Sequence, residues 1–151
     1  MNNGIEIEEI HKEIDLIQDC IKRMENNSFM LKGWLVSLYV VVLGLLPEKF
    51  NIWLICSVLI TMTISFWYLD GFFLRTEKIY RNIYEWCLIE RQRGNKELLY
   101  NLNLSSFKGK IEDVGGIVNI MMSRTLKTFY LIPLSMITIV VILNILVKWC
   151  L

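Results

Sequence analysis

Three long apolar runs constrain this chain more than any other feature of its sequence. They cover residues 29–46, 52–69 and 129–147, and each ends at a proline or a charged residue. Each run is close to the roughly 20 residues that a helix needs to cross a bilayer. The chain is 54% hydrophobic and only 21% charged, which is too apolar for a soluble domain of 151 residues. We therefore predict an all-α membrane protein with three transmembrane helices.

The basic residues predict how the spans are oriented. Of 16 lysines and arginines, four lie in residues 1–32 and ten in residues 71–127. The positive-inside rule places both stretches in the cytosol, with the N-terminus inside and the C-terminus outside. The polar break between the first two spans is short, Pro47, Glu48 and Lys49, which predicts a tight helical hairpin over residues 29–70. Since the residues before the first run are mostly acidic and polar, it is not expected to be a signal peptide.

An apolar heptad precedes the first span and defines a cytosolic segment, residues 1–28. Its members recur at spacings of three and four and are Ile7, Ile10, Ile14, Ile17, Ile21 and Met24. This pattern predicts a coiled-coil helix, and isoleucine at both core positions favours trimers or tetramers over dimers. Alternatively, the same face docks on the chain itself, against the apolar side chains of Phe73, Tyr80, Ile83 and Cys87. The two interpretations are not exclusive.

A single long helix is predicted from Ile52 to about Arg93. Gly71 is the one helix breaker in this stretch, Asn51 can cap its start, and Gly94 can end it. At 1.5 Å per residue the helix would be about 60 Å long, half in lipid and half in the cytosol. It could relay a cytosolic event to the membrane or serve only as a stalk. Residues 71–128 form the cytosolic helix extension and linker, and residues 129–151 the third span.

Several polar residues in or next to the spans are candidates for lining a pore. Three of them share one face of the second span, and one is an aspartate at its inner boundary, near Arg75 and Lys78. The candidates are Ser57, Thr61, Ser65, Asp70, Thr138 and Asn144. The hydroxyl groups could face water or could pack one helix on another. The aspartate could be an ion-paired interfacial residue or could attract cations at a pore mouth.

The sequence lacks the patterns that an enzyme would need. Four cysteines are widely separated, His11 is the one histidine, and there is no glycine-rich phosphate loop or catalytic dyad. We therefore predict no catalytic residue, no metal site and no cofactor. The cysteines are expected to be reduced thiols that fill apolar space. The basic residues of 71–127 could face anionic lipid or hold an anionic ligand.

Three blocks of sequence resemble a known family. They are FWYLDGFFLRTEKIYRNIYEW (66–86), YNLNLSSFKGKI (100–111) and MMSRTLKTFYLIPL (121–134). They are similar to the transmembrane effectors of the Hailong phage-defence system, small three-span proteins of the bacterial inner membrane. The resemblance implies a homotetrameric ion channel that depolarises infected cells and stops their growth. It also implies a partner nucleotidyltransferase that makes short single-stranded DNA, which binds the N-terminal coiled coil and keeps the channel shut.

The residues available for such a DNA ligand are few. Phosphate contacts could come from Lys12, Lys22 and Arg23 of the N-terminal segment, with Lys32 just after it. That segment is acidic overall, so the four cations would need to act as a ring in an oligomer. The rival hypothesis is a membrane scaffold that does not conduct ions and recruits a soluble partner through its cytosolic helices.

Overall fold

The computed structural model describes residues 2–44 and 51–150, with the side chains of residues 2–6 and 150 excepted. The regular elements of this part of the chain are all helical. They are α1 (Asn2–Gly44), α2 (Ile52–Gln92), a short 3₁₀ helix (Leu104–Phe107), α3 (Ile117–Met121) and α4 (Arg124–Cys150). Three of them, α1, α2 and α4, are long and apolar enough to cross a membrane. The predicted all-α fold with three spans is confirmed, and the chain is a multi-pass membrane protein.

Helix α1 joins two segments that the sequence suggested as separate parts. The heptad helix and the first span form one continuous helix from Asn2 to Gly44, without a break at residue 28. No proline or glycine occurs between residues 5 and 32 to interrupt it. The predicted turn at Pro47, Glu48 and Lys49 lies outside the described residues.

Helix α2 has the ends that its flanking residues predict. The Asn51 side chain accepts a hydrogen bond from the backbone N–H of Trp53 at 3.1 Å, which caps the first turn. At the other end Gly94 has a φ of +75°, and the N–H of Asn95 bonds the carbonyl of Glu90 at 2.9 Å. This left-handed glycine terminates the helix within a residue or two of the predicted end.

The sequence of residues 117–127 predicts a helix that joins the third span directly, but the structure divides this stretch between two helices. Helix α3 ends at Met121, and α4 begins at Arg124. The N–H of Ser123 bonds Ile120 three residues back, at 2.9 Å, which tightens the backbone and ends α3. Because α4 starts earlier than the apolar run, Pro133 lies inside the helix and not in its first turn.

The helices contribute to two compact units. The first unit consists of Met1–Asn27 and Phe73–Gly116. Its core is formed by four fully buried side chains, Ile17, Ile83, Cys87 and Phe107. Trp86 packs edge-on against Phe107, with 5.4 Å between the ring centroids. The first half of α1 is thus held against the second half of α2 by apolar contacts within one chain.

The second unit consists of Ser28–Phe72 and Ile117–Leu151 and carries the three apolar runs. A thin apolar core lies between its helices, formed by Cys56, Leu59 and Ile137. Each span is only slightly buried: between 11% and 22% of the residues in its most apolar stretch of 18 are buried. Most of the apolar surface of the three spans therefore faces outward in a single chain, as expected for helices in contact with lipid or with further subunits.

Candidate functional site

A cluster of polar side chains joins three helices of the second unit, and we call it the polar junction. It consists of Ser28 and Lys32 of α1, Asp70 of α2 and Tyr130 of α4. The Asp70 carboxylate is fully buried. The Lys32 ammonium lies 2.6 Å from it, the Tyr130 hydroxyl donates to it at 3.0 Å, and the Ser28 hydroxyl also donates to it. One carboxylate thus receives a donor from each of the other two long helices.

This arrangement bears on the two interpretations of Asp70. A buried carboxylate is costly unless a cation and hydrogen bonds compensate its lost hydration, and the junction supplies both. Asp70 is therefore buried and ion-paired within the single chain, and its role at a pore mouth stays a prediction. Its partner is Lys32, and the nearer basic residue Arg75 instead donates to the carbonyl of Gly115 at 2.8 Å. Spacing along α2 could not reveal a partner on another helix.

Beside the junction, α2 holds the short helix α3 at close range. The Trp67 indole donates to the carbonyl of Met121 at 3.0 Å and stacks on Tyr130, with 5.9 Å between the ring centroids. At Gly71 an added Cβ would come within 2.6 Å of the Met121 Cγ. Gly71 is thus the contact point between α2 and α3. From the sequence alone it is marked only as a helix breaker.

Three of the pore-lining candidates form an exposed hydroxyl face on α2. Ser57, Thr61 and Ser65 are all exposed, and each donates to a carbonyl of its own helix at 2.8 Å. The buried side chains of α2 recur at helical spacing on its opposite side, from Cys56 to Asp70. The hydroxyl face therefore points away from α1 and α4, and its oxygen lone pairs are open to a ligand or a neighbour.

The two candidates on α4 lie on different sides of that helix. Thr138 is exposed, and its hydroxyl donates to the carbonyl of Ser135 at 2.7 Å. Asn144 is half-buried and continues the packed face of Ile137 and Val141. Its Oδ1 atom is enclosed and accepts no hydrogen bond within the described part of the chain. One continuous path along α4 could not be lined by both residues.

The heptad residues are not equivalent in the first unit. Ile17 is 1% exposed in the core, Ile21 packs against that core, and Ile7 is 55% exposed. Ile10, Ile14 and Met24 are half-buried. The middle of the seam is therefore packed on the same chain, in one core with Ile83 and Cys87, as in the alternative interpretation of the heptad. The oligomer seam stays a prediction, and the seam residues that could serve it are the partly exposed ones.

A second buried ion pair lies in the first unit. Arg91 donates to both carboxylate oxygens of Glu13, at 2.7 and 2.8 Å, and the N–H of Tyr100 donates to the same carboxylate at 3.1 Å. Both ion-paired side chains are buried. The hydrogen bonds that Arg91 donates to Glu13 raise the pKa of its guanidinium. The Glu13 carboxylate thus joins α1 to the last turn of α2 through Arg91, and to the loop after α2 through Tyr100. In that loop Leu98 and Tyr100 have positive φ values of 57°.

Three cysteines that the sequence predicts as apolar filling are buried and free. Cys20 and Cys87 belong to the first unit, and Cys56 belongs to the second. Burial raises the pKa of the Cys87 thiol, which lies beyond the apolar run of α2, to about 11. Its thiol is therefore neutral at physiological pH, as expected for a packing residue.

The four candidate ligand cations are divided between the two units. Lys12, Lys22 and Arg23 are exposed in the first unit, whereas Lys32 belongs to the polar junction of the second. Lys22 and Arg23 line an open groove of about 590 Å³. Its other lining residues are Leu16, Asp19, Cys20, Asn26 and Leu102. Arg23 donates to the sulfur of Cys20, another lining residue, at 3.2 Å.

No protein-family model, curated protein or solved structure matches this chain. The fold and the junction define a class, a three-span, all-α membrane protein with a helical unit outside its apolar runs. A more specific function has to be argued from the arrangement of the residues themselves.

Proposed function

We propose that the chain forms a homo-oligomeric, ligand-gated ion channel of the bacterial inner membrane. In this proposal the hydroxyl face of α2 lines the conduction path, and the subunit number is four. The channel acts as an antiviral defence effector that depolarises infected cells. Short single-stranded DNA, made by a partner nucleotidyltransferase, holds it closed at the N-terminal helix. The resemblance of the three sequence blocks to Hailong effectors supports the defence role and the ligand.

The observation that carries the proposal is the exposed position of Ser57, Thr61 and Ser65. In a lone chain these three hydroxyl groups would face lipid together on one side of α2, whereas the other exposed serines and threonines of the apolar runs, Ser37, Ser135 and Thr138, lie on α1 and α4. Assembly around an axis next to α2 would remove them from lipid and bring a row of oxygen atoms from each subunit toward the axis. Rings of such oxygens can replace part of the hydration shell of a cation.

The continuity of the helices supports coupling between ligand and path. In both α1 and α2 a charged segment and an apolar run belong to one unbroken helix. The polar junction then ties α1 to α2 and α4 through Lys32, Asp70 and Tyr130. Loss of a ligand at α1 would change how the N-terminal segments associate. A shift of α1 would be passed to α2 by an ion pair that has few alternative arrangements.

The ligand part of the proposal depends on Lys12, Lys22 and Arg23. Lys22 lies 4.0 Å from Asp19, but both side chains remain about 70% exposed, so the ammonium is available to a phosphate. Three cations per chain give twelve in a tetramer, against 28 carboxylates from the seven acidic residues of residues 1–28, so the cations would have to contact phosphate as a local ring. Binding of this kind weakens steeply as salt rises, because each phosphate contact releases counterions.

Cysteine labelling during conduction tests the proposed path. Starting from a chain without its native cysteines, Thr61→Cys would be compared with Leu143→Cys on the exposed apolar face of α4. We expect a charged, water-soluble thiol reagent to reduce ion flux through liposomes with Thr61→Cys and to leave Leu143→Cys unchanged. Native gel mobility would confirm that both variants assemble. Conduction with Thr61→Cys that resists the reagent would exclude the hydroxyl face as the path.

A scaffold that does not conduct is the second candidate, and one observation favours it. Ile17 and Ile21 are used within the chain, so the first unit has its own core and could recruit a soluble partner as a folded module. A scaffold needs no polar path through lipid. It predicts that Asn144→Leu and the triple change of Ser57, Thr61 and Ser65 to alanine preserve function. In contrast, Ile10→Asp or Ile14→Asp would abolish it.

A further inference from the structure

Residues 117–127, which we call the elbow, present apolar and basic side chains to the outside at the start of the third span. Val118 is 61% exposed and Met122, in the turn after α3, is 51% exposed. The N–H of Met122 bonds the carbonyl of Val118 at 3.0 Å, so the two residues lie one helical turn apart. Ile120 and Leu126 are buried and hold the elbow to the second unit. Exposed apolar side chains immediately before a span lie at the depth of lipid headgroups, where such contacts are favourable.

The charge of the elbow is entirely positive. Arg124 and Lys127 are both exposed, and the sequence contains no aspartate or glutamate after Asp113. Arg124 opens α4, and Lys127 follows within its first turn, so both cations lie next to the apolar run of the span. Cations at this position attract anionic lipid by about 1 kcal/mol for each charge near the surface.

The elbow is also held in place, so its groups are arranged before a ligand arrives. The Met121 carbonyl accepts from the Trp67 indole at 3.0 Å, and Gly71 lets α2 approach Met121 closely. A site whose backbone is already fixed loses less conformational entropy on binding than a flexible basic segment does.

From these observations we propose that the elbow is a binding site for an anionic phospholipid of the cytosolic leaflet. Arg124 and Lys127 hold the headgroup phosphate, and Val118 and Met122 contact the glycerol and the upper part of the acyl chains. The apolar half of the site distinguishes a lipid from a free phosphate, which has no apolar part to place there. The site does not depend on whether the protein conducts ions.

Lipid titration by native mass spectrometry tests this proposal on the full chain in detergent. We expect phosphatidylglycerol to bind more tightly than phosphatidylcholine. The double change Arg124→Gln with Lys127→Gln should weaken phosphatidylglycerol binding by about fivefold for each charge removed. Met122→Ser should weaken it without a change of charge, by about fivefold for a partly buried side chain.

A matched control is Lys12→Gln with Lys22→Gln, which removes the same charge from the first unit and should leave lipid binding unchanged. Soluble glycerol phosphate should fail to displace the lipid. Equal binding of the two lipids, or equal loss in the control and elbow variants, would overturn the proposal. Displacement by glycerol phosphate would also overturn it and would assign the cations to a free phosphate.

Discussion

At the scale of single residues, two buried carboxylates show what sequence can and cannot predict. Asp70 stands out because it ends an apolar run, but its partner Lys32 lies on another helix. Glu13 occupies a polar position of the heptad, so nothing marks it as buried, and its partner Arg91 is 78 residues away. Both pairs arise from packing between distant segments. Local patterns predict that such residues are polar, but they do not predict their partners.

The first prediction concerns the polar junction. Lys32→Met leaves the Asp70 carboxylate buried without its cation, so we expect a loss of about 3–5 kcal/mol in the free energy of unfolding. Lys22→Met is the control, because its exposed pair with Asp19 contributes about 0–1 kcal/mol. Unfolding in mixed micelles, followed by circular dichroism, measures both. Adding Asp70→Leu to Lys32→Met should restore most of the stability, and a failure to do so would show that the charge is not the cause.

The second prediction concerns the buried pair of the first unit. Glu13→Ala removes the carboxylate that receives Arg91 and the N–H of Tyr100, so we expect about 3–5 kcal/mol of destabilisation. Amide hydrogen exchange at Tyr100 should rise with it. Glu25→Ala is the matched control, since Glu25 pairs with Arg81 at the surface and both side chains are about half exposed. Equal effects of the two changes would contradict the importance assigned to burial.

At the scale of helices, ends are more predictable than interruptions. Asn51 acts through its side chain on the next turn and Gly94 through its own backbone conformation, so these local signals predict both ends of α2 correctly. The break between α3 and α4 has no proline or glycine to mark it. It coincides with contacts to Trp67 and Gly71 of α2, which the sequence of the elbow does not contain. Tertiary contacts therefore explain what the local pattern missed.

The third prediction tests the close approach of α2 and α3. In Gly71→Ala the new Cβ would meet the Met121 side chain, and such overpacking costs about 1–3 kcal/mol. Gly33→Ala is the control, because nothing lies within 4 Å of its added Cβ. Alanine there should stabilise the helix by up to about 1 kcal/mol. Thermal unfolding of the two variants should thus shift in opposite directions, and Met121→Ala should rescue Gly71→Ala. A stabilising Gly71→Ala would contradict the contact.

At the scale of the whole molecule, composition and run length predict the three spans because the thickness of the bilayer sets the length of the apolar helix that can cross it. The outward-facing spans and the exposed hydroxyl face of α2 require coordinates, since they depend on which side of each helix its neighbours cover. The heptad predicts association but not the partner, and the structure shows that part of that face is used within the chain. The subunit number, the ligand and the conducted ion belong to the assembly and remain proposals.

Ion flux through liposomes that contain the purified oligomer tests the channel proposal most directly. We predict flux in the absence of ligand and its suppression by short single-stranded DNA, with weaker suppression for Lys22→Gln with Arg23→Gln. Flux that DNA does not alter would retain the channel and remove the ligand. A folded oligomer that passes no ions, with or without DNA, would contradict the channel and favour the scaffold.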